Sequence, residues 1–226
     1  MQRALLRRAD GLVALSAHVA AQLRAQGAVQ GRPLLRATLP PLGFGPVPPA
    51  LAHGGNLRLL SFGRLLPYKG LDLLAAALAN LGGRPDLQVR VVGAGPESAA
   101  LAQLRALPGV TVENRWVPEE EVGDLLAWAD ALVLSHREAS QSGVAAAAVA
   151  ARRWVVATRV GGLAEQLAGE DLAILCEPTA AGVAGGVLRL LAVARKPPGE
   201  ADPGITWRRT VERLAGEVED FVRARA

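Results

Sequence analysis

Residues 57–72 read Leu57-Arg58-Leu59-Leu60-Ser61-Phe62-Gly63-Arg64-Leu65-Leu66-Pro67-Tyr68-Lys69-Gly70-Leu71-Asp72. An apolar run ends on a glycine, two cations follow in a loop that contains proline, and a leucine- and alanine-rich stretch begins at Leu71. Periodicity predicts a strand over Leu57 to Gly63 and a helix over Leu71 to Leu81. The unit repeats downstream. Leu87 to Gly93 is expected as a strand, with a helix starting near Pro96. Val110 to Glu113 is a short strand, followed after Pro118 by a helix whose Glu119, Glu120 and Glu121 suit a positive helix end. Ala131 to Ser135 is the next strand, with a helix from about Ser142. Trp154 to Thr158 and Leu172 to Leu175 complete the series, each with a helix after it. Apolar strands of this length, separated by helices, specify a parallel sheet covered on both faces. The expected fold class is α/β, a doubly wound Rossmann-like sheet of about six strands over residues 57–195.

Two flanking regions stand outside that sheet. In residues 1–27, Gly11 to Ser16 and Ala17 to Gln26 form one more strand and helix. Residues 28–56 carry Pro33, Pro40, Pro41, Pro46, Pro48 and Pro49, the composition of a linker. In residues 196–226, Pro197, Pro198 and Pro203 break the chain before a last amphipathic helix, Trp207 to Arg225. Its Val211, Leu214, Val218, Phe221 and Val222 fall on one face, a stripe that needs a partner surface.

Half of the 226 residues are hydrophobic, which excludes a disordered chain. The single cysteine, Cys176, excludes an internal disulfide and a cysteine-based zinc site, and fits a reducing compartment. Arg3, Arg7 and Arg8 precede an apolar stretch that Asp10 and His18 interrupt, so no secretory signal forms. No later run is long enough to span a bilayer, and a soluble, cytoplasmic protein is expected. The net charge is +4, with Lys69 and Lys196 the only lysines among 25 basic residues. The arginines form scattered pairs such as Arg208 and Arg209, not a stripe interleaved with aromatics, so nucleic acid is not an expected partner. A weak pull toward an anionic membrane surface, at the inner face, is the greater expectation.

Ligands of open parallel sheets bind at the carboxyl ends of the strands, so the loops there carry the chemistry. After the first strand come Gly63, Arg64 and Lys69, cations that neutralise a diphosphate or stand as solvated loop charges. After the second, Gly93-Ala94-Gly95 opens a helix that suits an anion, or simply makes a tight turn. Ser98 stands where the dinucleotide fingerprint has its third glycine. Residues 135–144, Ser135-His136-Arg137-Glu138-Ala139-Ser140-Gln141-Ser142-Gly143-Val144, deliver a carboxylate and then a small polar turn ahead of an apolar helix. Glu138 suits sugar hydroxyls and the turn suits phosphate, while His136 is either a base or a structural residue. The fourth loop is Thr158-Arg159-Val160-Gly161-Gly162-Leu163-Ala164-Glu165.

Taken in order, these elements resemble the group 1 family of retaining glycosyltransferases (family 4-like), whose GT-B fold sets two Rossmann-like domains across a cleft. The resemblance runs over nearly all of residues 57–226. It is carried by Gly63-Arg64 with Pro67-Tyr68-Lys69-Gly70-Leu71-Asp72, by Val92-Gly93-Ala94-Gly95-Pro96, and by Val117-Pro118. Ala129-Asp130, Val155-Val156-Ala157-Thr158 and Val160-Gly161-Gly162 follow in the same order. It implies transfer of a sugar from a nucleoside diphosphate sugar with retention. Arg64 and Lys69 would stabilise the departing diphosphate and Glu138 would orient the sugar. Gly63, Gly93, Gly95 and the turn Gln141, Ser142, Gly143 and Val144 would bind the nucleotide, with amides near Ser142 and Gly143 on phosphate. The family's second glutamate, eight residues after the first, is replaced by Ala146, or by Ala147 if one residue is inserted. In the family that residue holds the nucleotide ribose, so its absence bears on donor affinity or identity.

The resemblance also implies that residues 1–27 match only the last strand and helix of an acceptor-binding domain, and that the terminal helix crosses back onto it. A separate acceptor-domain protein or self-association is the expected partner, beside the nucleotide sugar. No Asp-x-Asp element occurs, so no metal and no other cofactor are implied. The competing reading is a nucleotide-sugar-binding module without catalysis. A nicotinamide or flavin enzyme is disfavoured by the incomplete glycine fingerprint.

Overall fold

The computed structural model describes residues 9–37, 39–40, 55–193 and 203–223, with some side chains of the last stretch left out. The Pro-rich stretch beyond Pro40 and the break at 196–202 lie outside the described residues.

The larger sheet is built from β3 (Leu57–Phe62), β4 (Leu87–Gly93), β5 (Val110–Asn114), β6 (Ala131–Leu134), β7 (Trp154–Thr158) and β8 (Ala173–Cys176). Their order is β5-β4-β3-β6-β7-β8, and every pairing is parallel. Alternation along each strand explains the two layers that cover it. Leu59, Val91, Val133 and Val156 face α2 (Leu71–Asn80), α3 (Ala99–Arg105) and α7 (Ala180–Val193). Leu60, Val92, Leu132 and Val155 face α4 (Glu119–Trp128), α5 (Gly143–Ala150) and α6 (Gly161–Gln166). Helix α5 is Gly-Val-Ala-Ala-Ala-Ala-Val-Ala, and Ala145 to Ala148 are all buried. A helix apolar on every side belongs inside, and small side chains let it lie close to the sheet.

The order has one consequence for function. From β3 the chain builds outward through β4 to β5, then returns to place β6 on the other side of β3. The loops leaving β3 and β6 therefore diverge, which opens a crevice above their carboxyl ends.

A second, two-stranded parallel sheet joins β1 (Leu12–Ala14) and β2 (Leu34–Arg36), with α1 (Ala17–Ala25) between them. Strand β2 falls inside the stretch expected to be linker. Its three residues are too few for a periodic signal, and pairing with β1 decides their conformation. The last helix, α8, spans Pro203–Arg223, four residues earlier at its start than expected because proline is tolerated in a first turn. On its expected apolar face Leu214 is half-buried, whereas Val211, Val218 and Val222 are exposed. Among the described residues no helix is long and apolar enough to cross a membrane.

Candidate functional site

The loops after β3 and β6 are stitched together by main-chain contacts. A 3-10 turn, Pro67–Lys69, ends at Gly70, whose left-handed φ of 63° lets its Cα face the Ser135 carbonyl. A Cβ there would overlap that oxygen, so only glycine fits. The Ser135 hydroxyl donates to the Lys69 carbonyl at 3.0 Å, and the Arg137 amide donates to the Tyr68 carbonyl at 2.8 Å. Thr158 Oγ1 at the end of β7 donates to the His136 carbonyl at 2.6 Å. Arg137 and Asp72 form an ion pair that closes the outer side, and the guanidinium holds the carboxyl below its usual range.

These bonds place Lys69 against His136. Lys69 Nζ lies 2.9 Å from His136 Nε2, and the imidazole is buried. Burial first, and the neighbouring Lys69 charge second, push the His136 pKa down to about 3, so the ring is neutral and accepts from the ammonium. His136 is thus a support for Lys69. Lys69 itself is lowered to about 8, first by burial and then by the Arg64 charge. Among the described residues it has no acidic partner. A half-buried cation beside a second cation and a neutral ring is a site prepared for an anion.

The glycines of the site do different work. A Cβ on Gly63 would stand 3.7 Å from Lys69 Nζ and 3.4 Å from Val144 Cγ2, which brings Gly63, Lys69 and the start of α5 together. Cβ atoms on Gly93 or Gly95 would overlap the carbonyl oxygens of Gly63 and Leu65. Their bareness lets the β4 loop lie on the β3 loop. Asn114 grips Gly95 from β5, its Oδ1 accepting from the Gly95 amide and its Nδ2 donating to the Gly95 carbonyl. The polar turn before α5 is also locked. Ser142 Oγ accepts from Ala145 N, while its amide donates to Gln166 Oε1 at 2.9 Å. The Ser142 amide is therefore occupied by Gln166 in this structure, which leaves the neighbouring Gly143 amide as the donor of the expected phosphate turn. Gly143 and Val144, at the first helical positions, keep amides without an intrahelical acceptor. Ala146 and Ala147 are both buried, so α5 presents no carboxylate there.

Above this floor lies a cleft of about 1000 Å³. Arg64, Tyr68, Arg137, Glu138 and Gln141 line it from the large sheet, and His18 and Gln22 line it from α1. Glu138 is exposed into that space. Of the residues expected from the sequence, Arg64, Glu138 and Gln141 line this cleft and Lys69 lines a smaller pocket with Arg64 and His136, whereas His18 and Gln22, 41 or more residues before Gly63, carry no signal in an ordinary amphipathic helix. By contrast Asp130, part of the ordered resemblance, accepts from the Arg58 amide at 2.8 Å, at the opposite end of the sheet.

The family model for glycosyl transferases group 1 matches residues 56–193, the whole six-stranded unit. The chain belongs to that family. No curated protein matches the sequence. Among solved structures, sucrose-phosphate synthase from Thermosynechococcus elongatus is similar at a TM-score of 0.78 and 21% identity, over 99% of this chain and 61% of that one. A glycosyltransferase from Rickettsia africae gives 0.67 and 16%, over 86% and 57%. The catalytic domain of starch synthase IV from Arabidopsis thaliana, bound to ADP and acarbose, gives 0.64 and 13%, over 86% and 50%. At these identities the likeness establishes the fold, the α/β architecture of GT-B glycosyltransferase halves. The chain spans about three-fifths of the first of these relatives and less of the others.

Proposed function

We propose that the group 1 domain binds a nucleoside diphosphate sugar in this cleft and serves as the donor half of a retaining, family 4-like transferase. The observation that carries the reading is Lys69, a half-buried ammonium held by neutral His136 with no carboxylate beside it among the described residues. Arg64, which lines both the cleft and the small pocket that holds Lys69 and His136, and the amides of Gly143 and Val144 at the head of α5 supply further donors for a diphosphate. As the bond from sugar to phosphate breaks, negative charge collects on the departing diphosphate, where Arg64 and Lys69 act. Glu138, acceptor-only when ionised, takes hydrogen bonds from sugar hydroxyls. Starch synthase IV, a structural relative, was solved with ADP, which agrees with a nucleotide in this fold.

Glu138→Gln separates the sugar from the phosphate. The variant is expected to bind a nucleotide sugar about fivefold or more weakly, as a charge-assisted bond becomes a neutral one, with free nucleoside diphosphate unchanged. Calorimetry with both ligands reads this, and equal losses for the two would remove Glu138 from the sugar.

A binding module without catalysis is the second reading, favoured by buried Ala146 and Ala147 where the family carries its second glutamate. Under either reading these 226 residues alone are expected to show no transferase activity, because the described residues hold, beside the large sheet, only the two-stranded β1–β2 sheet, too small to form an acceptor domain. Adding an acceptor domain should restore turnover in the first reading and not in the second. Sugar transfer by the monomeric chain without any addition would overturn both.

A further inference from the structure

Helix α1 is docked on the large sheet through one short helix, α6, and the docking is specific. Glu165 Oε2 accepts from the Ala17 amide and Oε1 from the His18 amide, both at 2.7 Å. Ser16 Oγ accepts from Val19 N at 3.1 Å. The N–H groups at the head of α1 are thus satisfied by Glu165 and Ser16. Gly161 and Gly162 make the approach feasible. A Cβ on Gly161 would come 3.2 Å from both His18 Cδ2 and Nε2, and one on Gly162 would come 2.7 Å from Ser16 Oγ.

This docking sets His18 and Gln22, one helical turn apart, over the cleft that also holds Glu138 and Arg64. Gln22 Nε2 lies 3.0 Å from His18 Nε2. If the amide donates there, His18 keeps an Nδ1–H donor and Gln22 keeps its carbonyl acceptor. If the amide is turned over, His18 Nε2–H donates instead, leaving Nδ1 as acceptor and the amide N–H as donor. Either arrangement leaves at least one donor and at least one acceptor in the pair, with no other partner for them among the described residues. A hydroxyl, which both gives and takes a hydrogen bond, matches that pair. A phosphate, which only accepts, matches half of it.

We propose that His18 and Gln22 bind a hydroxyl of the donor sugar, and that Glu165 is the positioning residue that holds them over the cleft. The inference rests on the reading of the cleft as a nucleotide-sugar site. The test is calorimetry with UDP, GDP and ADP and their glucose conjugates on the 226-residue chain. His18→Ala and Gln22→Ala are each expected to weaken the glucose conjugate about five- to tenfold, the loss of an ordinary hydrogen bond, and to leave the diphosphate alone. Glu165→Ala should give the same selective loss, and no further loss in a His18→Ala, Gln22→Ala background, because it acts through those residues. Glu165→Gln, which keeps one accepting oxygen, should recover part of it.

Equal weakening of diphosphate and conjugate, or no weakening of either, overturns the inference while nucleotide binding stands. An additive loss from Glu165→Ala in the double-variant background removes its positioning role. A wild-type chain that binds none of the diphosphates fails the underlying reading of the cleft, and this inference falls with it.

Discussion

Lys69→Ala lowers the affinity for a nucleoside diphosphate by about ten- to a hundredfold, the loss of a charge-assisted contact of about 1.5–3 kcal/mol. Arg64→Ala acts in the same direction, less strongly because Arg64 is exposed and screened. The size for Lys69 follows from its surroundings. The ammonium already bears an uncompensated desolvation, which draws its pKa down to about 8, and a bound diphosphate supplies the missing counter-charge. The same argument gives a pH dependence. Below about pH 8 Lys69 is protonated in the free protein and affinity does not depend on its titration. Above it the free protein loses the proton, binding must take one up, and affinity falls by at most tenfold per unit. Calorimetry at pH 7, 8 and 9, in buffers of different ionisation enthalpy, reads both the fall and the proton uptake. Unchanged affinity in both variants would move the phosphate site elsewhere. A Lys69→Ala variant that binds more weakly but keeps the alkaline fall would assign the titration to another group.

Gly93→Ala is expected to destabilise the protein by about 3 kcal/mol or more, combining backbone strain with overpacking. Its φ of 152° lies outside what an L side chain adopts readily, and the added carbon would overlap the Gly63 carbonyl. Neither loop can yield cheaply. Gly63 N donates to Val92 O at 3.0 Å, and Gly93 O accepts from Arg115 N at 2.9 Å, so a shift breaks pairing on two sides. For a chain of this size the melting midpoint should fall by roughly 6–12 °C. Gly185→Ala is the control. Gly185 lies inside α7 with open space where its Cβ would go, and alanine there should stabilise by about 0.5–1 kcal/mol. A Gly93→Ala protein as stable as the parent would show that the two loops are not held as described.

Much of this protein is written in short-range pattern. Apolar runs at Leu57–Phe62, Leu87–Gly93 and Ala131–Leu134, separated by helical stretches, are enough to specify a parallel sheet, because only strands covered on both faces tolerate such sequences. The cations Arg64 and Lys69 and the carboxylate Glu138 stand out in the sequence because they lie in loops after strands, where an open sheet presents ligands. The cap Ser142 stands where the helix is expected to begin, whereas the helix expected near Pro96 begins at Ala99, capped by Ser98.

What the tertiary structure decided is whatever depends on residues far apart in the chain. His136 became the acceptor for Lys69, 67 positions away, and burial made it neutral, so its chemistry follows from its surroundings and not from its type. The Ser142 amide went to Gln166, which no spacing rule announces. Glycines 93 and 95 also space two loops, a packing role that no sequence pattern shows, because a backbone approach across two strands has no trace in either strand alone. The placement of α1 rests on Glu165, 147 residues or more from the amides it holds. A sequence pattern records which face of an element is apolar, but the partner that covers the face, and the polar atoms that meet there, are fixed only when the elements pack.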